Sequence, residues 1–192
     1  MTLDIYTDAR AEIIPKDTPT TKFTEKQKEM QIASVIVDAN ENEYYIVERI
    51  SVDNLSENWL DLKDIRFKPN SNIAEMYSIH KALTEICKLD IKVDKINLYT
   101  DSMNSFNFIN QVPLHLTNIG CKNPNRLNKP SCKLIKKINN EIILLKKTLE
   151  KSGIELNIMW VKGHAGVYFN EAADKLCRFS NNKSNTLYQL TI

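Results

Sequence analysis

The sequence predicts an α/β protein in which a mixed sheet of five strands is flanked by helices. Short runs of alternating apolar residues, typical of strands, lie early in the chain and again between segments with helical spacing. The resulting order is β-β-β-α-β-α-α-β-α, and strands separated by helices favour parallel crossovers within one sheet. With 192 residues, 42% of them hydrophobic, the chain can bury one sizeable core, so we expect one domain over residues 1–180.

The first three strands are predicted near the N-terminus. Alternating apolar residues mark strands at 3–7, 32–37 and 44–52, and the polar turn at 40–43 makes the last two an antiparallel hairpin. Residues 10–31 are rich in Thr, Lys, Glu and Pro, which predicts a long loop or insertion.

Periodic apolar positions and breakers define the other elements. They are a helix capped by Asn72, a strand over 93–100, a short helix after Ser102, a long helix capped by Ser131 and stopped by Gly153, a strand over 154–161 and a helix over about 170–178. We expect a polar tail at 181–192 and place Trp160 in the core.

Four acids stand in positions that suggest a shared metal site. Tyr-Thr-Asp closes two predicted strands, at Asp8 and at Asp101, and neighbouring strands would bring these carboxylates together. Glu75 opens a helix, and Asp174 lies in the last helix. Mg²⁺ prefers oxygen ligands, and a pair of such ions activates water and stabilises the leaving oxygen in phosphodiester cleavage.

Each acid alone also has a structural explanation. Glu75 stands three residues after Asn72, the spacing of a capping box. Asp8 and Asp101 could cap the turns after their strands, and Asp174 could be an ordinary exposed helix acid. Their joint order favours the metal site.

That order resembles type 1 ribonuclease H. The matching segments are Tyr-Thr-Asp8, Asn72-Ile-Ala-Glu75, Tyr-Thr-Asp101-Ser, and Trp160-Val-Lys-Gly-His164-Ala-Gly followed by Asn170-Glu-Ala-Ala-Asp174. The resemblance implies a ribonuclease H-like fold and hydrolysis of the RNA strand of an RNA/DNA hybrid, leaving 5′-phosphate and 3′-hydroxyl ends. It also implies two Mg²⁺ ions as cofactors, with Mn²⁺ as a substitute.

The resemblance implies a role for each catalytic residue. Asp8 would bridge both metals, Glu75 and Asp101 would complete one metal site, and Asp174 would serve the other. His164, on a loop with glycines, would move protons or help product release. The implied substrate contacts are Arg10, Asn72, Ser102, Lys122, Arg126, Lys129 and Asn170, and Glu171 matches an auxiliary acid.

Three departures from the family affect the substrate contacts. Ala9-Arg10 replaces the glycine-rich run after the first aspartate, so close backbone approach to the substrate is lost there. Before Glu75 the family commonly has two asparagines and an arginine, whereas this chain keeps only Asn72. Met103 stands where a glutamine is expected. Asn72 is therefore the base or sugar contact that the resemblance carries over.

The net charge of +2 hides an asymmetry between the two parts of the chain. Residues 1–119 carry 13 Lys/Arg against 19 Asp/Glu, whereas residues 120–192 carry 13 against 5. An acidic half would hold metals, and a basic half would meet phosphates. The basic segment at 120–133 lies where many relatives have a basic helical protrusion, and we expect it to hold the DNA strand.

The sequence also predicts the cellular compartment of the protein. The chain has no apolar run of about 18 residues and no secretory signal. Its four cysteines form no CxxC pair, so we expect a cytoplasmic or nuclear protein without an obligate protein partner. Two other interpretations stay open: a degenerate ribonuclease H-like module that binds nucleic acid or protein without cutting, and the ribonuclease H domain of a retroelement reverse transcriptase.

Overall fold

A mixed β-sheet organises the fold. The computed structural model describes residues 1–11, 29–51, 55, 70–89, 92–111, 130–179 and 186–189. The strands are β1 (Thr2–Ala11), β2 (Glu29–Val37), β3 (Glu43–Ser51), β4 (Lys95–Thr100), β5 (Glu155–Trp160) and β6 (Thr186–Gln189). The helices in the described ranges are α1 (Ser71–Lys88), α2 (Met103–Ile109), α3 (Pro130–Lys151) and α4 (Tyr168–Phe179).

The strand order is β5-β4-β1-β2-β3-β6. β1 pairs with β2, β2 with β3 and β3 with β6 in antiparallel fashion, whereas β1–β4 and β4–β5 are parallel. This arrangement confirms the predicted fold class, a mixed sheet flanked by helices, although the described sheet has six strands where five were predicted. In the parallel pair Thr7 lies opposite Thr100, so Asp8 and Asp101 lie at the same level of two adjacent strands. The predicted strand end at Asp8 is wrong, because β1 continues to Ala11, whereas β4 ends directly before Asp101.

Two stretches differ from the sequence-based expectation. Residues 186–189, inside the predicted tail, form β6, which was too short to stand out by its pattern. The predicted loop at 10–31 is wrong at both ends, because Arg10 pairs with Gln31 within the sheet. The antiparallel ladder continues through polar residues, since its hydrogen bonds join backbone groups of any sequence. The middle of that stretch, residues 12–28, lies outside the described residues.

Helices cover both faces of the sheet. α1, α2 and α3 pack on one face, and their apolar side chains bury against those of β1 and β4, such as Ile5 and Leu98. α4 covers β1 and β2 on the other face. The predicted core positions of α1 are confirmed, and burial of each such side chain contributes about 1.5–3 kcal/mol. They are Met76, Ile79, Leu83 and Ile86.

The start of α1 corrects a predicted cap. Asn70 is the N-cap, because its extended backbone places Oδ1 3.0 Å from the Ile73 nitrogen, which donates to it. Asn72 lies inside the first turn, so the capping-box explanation of Glu75 is wrong. Glu75 is thereby available for another role.

The other helix ends are close to those predicted. α3 begins at Pro130, one residue before the expected cap Ser131, because proline's fixed φ suits a first helical turn. After α3, Gly153 has a φ of 79°, the left-handed conformation that ends many helices. Among the helices in these ranges, none is both long and apolar enough to cross a membrane.

Candidate active site

Three carboxylates from separate elements meet beside the end of β4. Asp8 lies in β1, Asp101 directly follows β4, and Glu75 projects from the N-terminal part of α1. One carboxylate oxygen from each lies within 4.8 Å of the others. Asp8 and Glu75 are buried. We call this group the carboxylate cluster.

Helices on both sheet faces fix the backbone of Asp8. Ser78 Oγ, from α1, lies 3.1 Å from the carbonyl oxygen of Asp8, and Cys177 Sγ, from α4, donates to the same oxygen at 3.2 Å. The Ala9 nitrogen donates to Asp8 Oδ1 at 2.7 Å, which orients the carboxylate. Asp8 is therefore held between two helices.

Burial and mutual repulsion disfavour the charged forms of two carboxylates in the cluster. Burial, followed by the charge of Asp101, raises the pKa of Asp8 to about 7. Burial, followed by the charges of Asp8 and Asp101, raises the pKa of Glu75 well above its usual value. Glu75 Oε2 is also buried with no hydrogen-bond partner among the described residues. This oxygen-rich and charge-repelling set fits a hard divalent cation such as Mg²⁺.

Asp174 lies beside the cluster, close enough that its charge and a side-chain hydrogen bond raise the pKa of Asp8. It also forms an ion pair with Arg178, whose Nε lies 2.8 Å from Asp174 Oδ1. Arg178 was missed in the sequence, although four residues is the spacing of facing partners on a helix. The structure thus places Asp174 at the margin of the cluster, already neutralised in part.

The loop after β5 lies directly against Asp101. A Cβ added to Gly163 would be only 2.7 Å from Asp101 Oδ2, so only a glycine fits there without displacing the carboxylate. His164 follows, exposed, with a φ of 52° in the left-handed region. His164 therefore follows directly after the residue that contacts the carboxylate cluster. The loop can approach Asp101 so closely because Gly163 has no side chain.

Trp160 supports the same region from the edge of the sheet. Its Nε1 donates to the carbonyl oxygen of Asp101 at 3.1 Å. The side chain is 41% exposed, so the prediction that it belongs to the core is wrong. β5 is an edge strand, and Trp160 is its last residue, so only one neighbouring strand flanks it.

Glu171 holds the histidine loop. Its Oε1 accepts a hydrogen bond of 3.0 Å from the Gly166 nitrogen, across the start of α4. Glu171 was expected as an auxiliary acid near the metals, but its carboxylate contacts the loop backbone. The sequence did not predict this contact, because a glycine five residues before a glutamate is not a recognised structural pattern.

Replacing Glu171 should loosen this loop in a graded way. A solvent-exposed hydrogen bond contributes about 1 kcal/mol, so Glu171→Ala should speed hydrogen exchange of the Gly166 amide about 5-fold. Glu171→Gln keeps an accepting oxygen, so exchange should stay within about 2-fold of the original. Amide exchange followed by NMR measures both, and equal acceleration in the two variants would contradict the tether.

More than half of the chain matches one protein-family model. The RNase H family model matches residues 56–181, which include Glu75, Asp101, His164 and Asp174. This chain belongs to the RNase H family. The predicted resemblance is confirmed, and the chain is a member of the ribonuclease H family of phosphodiester hydrolases. Asp8 precedes the matched segment, and the RNase H sheet brings it to the cluster.

Solved RNase H structures share the fold at low sequence identity. LC9-RNase H1, a type 1 RNase H with the type 2 active-site motif, is 13% identical, with a TM-score of 0.59 over 98% of this chain and 77% of that chain. RNase H1 from the halophilic archaeon Halobacterium salinarum NRC-1 is 15% identical, with a TM-score of 0.52 over 93% and 96%. LC11-RNase H1 in complex with an RNA/DNA hybrid is 15% identical, with a TM-score of 0.53 over 92% and 96%. No curated protein matches the chain.

Two of the expected substrate contacts of this RNase H lie near the cluster surface. Arg10 is exposed on β1, two residues beyond Asp8. Asn72 is partly buried in the first turn of α1, where its Oδ1 accepts a 2.9 Å hydrogen bond from Asn104 Nδ2. Asn104 was missed in the sequence, because the amide expected on this helix stood one position earlier.

The other expected contacts are placed differently. Ser102 is the N-cap of α2, and its Oγ accepts from the Ser105 nitrogen at 3.3 Å. Asn170 is only 2% exposed, so it is not offered to a ligand on the surface. The basic residues predicted to hold DNA lie outside the described residues, and their role stays a prediction. They are Lys122, Arg126 and Lys129.

Proposed function

We propose that this ribonuclease H hydrolyses the RNA strand of RNA/DNA hybrids by two-metal-ion catalysis, leaving 5′-phosphate and 3′-hydroxyl ends. The observation that carries the proposal is the buried carboxylate cluster, with its raised pKa values and an unpartnered Glu75 oxygen. The hybrid as substrate is supported by family membership and by the hybrid-bound structure of LC11-RNase H1.

The carboxylates divide between two candidate metal positions. Asp8, Glu75 and Asp101 would hold one divalent ion, and Asp8 with Asp174 would hold the other. Mg²⁺ suits these oxygen ligands, and Mn²⁺ should substitute for it. When bound, such ions lower the pKa of a water and stabilise the attacking and leaving oxygens of the displacement.

The protein's own residues would then orient the hybrid and move a proton. Arg10, exposed two residues beyond Asp8, would meet a phosphate next to the cluster, because a guanidinium suits phosphate geometry. Asn72 would contact base or sugar in the minor groove. His164, on its tethered loop beside Asp101, would carry a proton to or from a reacting oxygen.

One observation favours a second candidate function, a module that binds hybrids without cutting them. Arg178 already pairs with Asp174, which lowers the negative charge available for a second ion. The two candidates share the hybrid as ligand but differ in whether a phosphodiester bond is broken.

Cleavage of an end-labelled RNA/DNA hybrid tests the proposal. We expect cutting in Mg²⁺ or Mn²⁺, none in EDTA, and none of RNA/RNA or DNA/DNA duplexes. Asp101→Asn should abolish cutting, whereas the matched variant Asp4→Asn should retain it. Asp4 lies in the same strand as Asp8, but its Oδ1 accepts a hydrogen bond from Asn97 Nδ2 at 2.9 Å. Asp4→Asn keeps a side-chain oxygen that can accept this bond.

The products and the failures are equally informative. Fragments that carry 5′-phosphate should become substrates for ligation without prior phosphorylation. Tight hybrid binding with no cutting in either metal would favour the second candidate. Equal cutting of RNA/RNA duplexes would contradict hybrid specificity.

A further inference from the structure

Two asparagine side chains join the first turns of the helices that begin at the carboxylate cluster. Asn72 lies three residues before Glu75 in α1, and Asn104 lies three residues after Asp101 in α2. Asn104 Nδ2 donates to Asn72 Oδ1 at 2.9 Å, and both side chains are partly buried. The amide pair therefore bridges two helices at the edge of the site.

This contact fixes which polar atoms of Asn72 remain available. A side-chain amide has an accepting oxygen at one end and two donating N–H groups at the other, and a half-turn exchanges them. Because Asn104 donates to the oxygen, the N–H groups of Asn72 are left without a partner among the described residues. Without the Asn104 donor, this hydrogen bond would be absent and would no longer favour one orientation of the Asn72 amide over the other.

We infer that Asn104 is a positioning residue, which holds the Asn72 amide so that its N–H groups donate into the minor groove of the hybrid. This inference rests on the proposed function. Every base pair offers accepting atoms there, and RNA adds the oxygen of the 2′-hydroxyl. A donor fixed in direction can thus be used at any sequence, which suits an enzyme that does not select bases.

The chain's departures from the family explain the need for such a residue. Met103, at the position of the expected glutamine, is 44% exposed and offers no amide. Ile73, at the position of the expected arginine, is fully buried. Asn72 is consequently the amide that remains of that set. The residue after Met103 along α2, Asn104, carries an amide that contacts Asn72.

A double-mutant cycle tests the inference. The Kd of an RNA/DNA hybrid is measured in EDTA, and KM and kcat are measured in Mg²⁺, for Asn104→Ala, Asn72→Ala and the double variant. We expect Asn104→Ala to raise Kd and KM about 3- to 10-fold while kcat changes less than about 2-fold. In the Asn72→Ala background the same substitution should change Kd less than about 2-fold.

A second variant tests the direction of the amide. Asn104→Asp removes the donor, so Asn72 should turn, donate to the new carboxylate and present its oxygen to the substrate. Hybrid affinity should then fall further than in Asn104→Ala. Asn110→Asp, on the same helix, adds the same charge at an exposed amide that donates to the Phe106 carbonyl oxygen, and it should have the smaller effect.

The outcomes separate this inference from the proposed function. An unchanged Kd in Asn104→Ala, or losses that multiply in the double variant, would overturn the positioning role. If the unmodified protein binds the hybrid without cutting it, the proposed cleavage is contradicted. The role of Asn104 is still tested in that case, because the double-mutant cycle measures Kd and does not require cleavage. Absence of hybrid binding would overturn both.

Discussion

Asp8→Asn is expected to lower the rate of hybrid cleavage at least about 1000-fold while making the metal-free protein more stable at neutral pH. Asp8 is the acid that both proposed metal positions share, so its loss should remove cleavage. The same carboxylate is buried beside Asp101 and Glu75, and its negative charge therefore opposes folding when no cation is present.

The pH dependence follows from the direction of the pKa shift. The pKa of Asp8 is about 7 in the folded protein and 3.8 ordinarily, so the folded state binds more protons between those values. The free energy of unfolding should therefore fall as pH rises from about 4 to about 7. At 1.36 kcal/mol per pKa unit, Asp8→Asn should stabilise the metal-free protein by on the order of 2–4 kcal/mol at pH 8 and little at pH 4.

Urea unfolding in EDTA at the two pH values measures this effect. Asp38→Asn is a control of opposite sign, because hydrogen bonds from Asn42 and Asn40 hold the pKa of Asp38 below its usual value. That variant should lose stability at neutral pH, in contrast to Asp8→Asn. Added Mg²⁺ should raise the Tm of the unmodified protein more than that of Asp8→Asn. A destabilised Asp8→Asn at pH 8 would refute the electrostatic account.

Gly163→Ala should lower kcat at least about 100-fold in a protein that remains folded. The new Cβ would lie 2.7 Å from Asp101 Oδ2, a separation that real Cβ atoms essentially never show, so the carboxylate or the loop must move. A misplacement of about 1 Å at a reacting centre can cost about 100-fold in rate. Steady-state cleavage and thermal unfolding together measure the two parts of this prediction.

Gly153→Ala provides the matched control. Gly153 has a φ of 79° but no atom within 4 Å of its added Cβ, so the substitution strains the backbone without a clash. We expect a loss of about 1–2 kcal/mol in the free energy of unfolding and no change in kcat. Gly163 lacks a positive φ, so its variant should show the reverse pattern. Loss of activity in both variants in proportion to lost stability would contradict the steric explanation.

The sequence alone predicted the features that depend on a periodic pattern or on a motif of several residues. Four apolar residues of α1 at helical spacing predicted its buried face, and two Tyr-Thr-Asp segments predicted that β1 and β4 are neighbours, although β1 continues beyond Asp8. Both patterns arise because a secondary structure repeats the same geometry at each turn or pair. The position of the carboxylate cluster followed from them.

Single contacts between distant segments could not be predicted in the same way. The Asn104 amide finds Asn72 and the Glu171 carboxylate finds Gly166 only after tertiary packing has set the distances. Asn70 and Asn72 are equivalent as cap residues in sequence, and the backbone conformation alone chooses between them. Trp160 is apolar in composition, but its exposure depends on which strand forms the edge.

The strand order has a consequence for protein synthesis. β5 and β6, the last two described strands along the chain, form the two opposite edges of the sheet. While the ribosome is still making them, β4 and β3 present unpaired backbone groups on both sides of the growing sheet. Until residue 186 emerges, both edges of the growing sheet are open to pairing with a strand of a neighbouring chain.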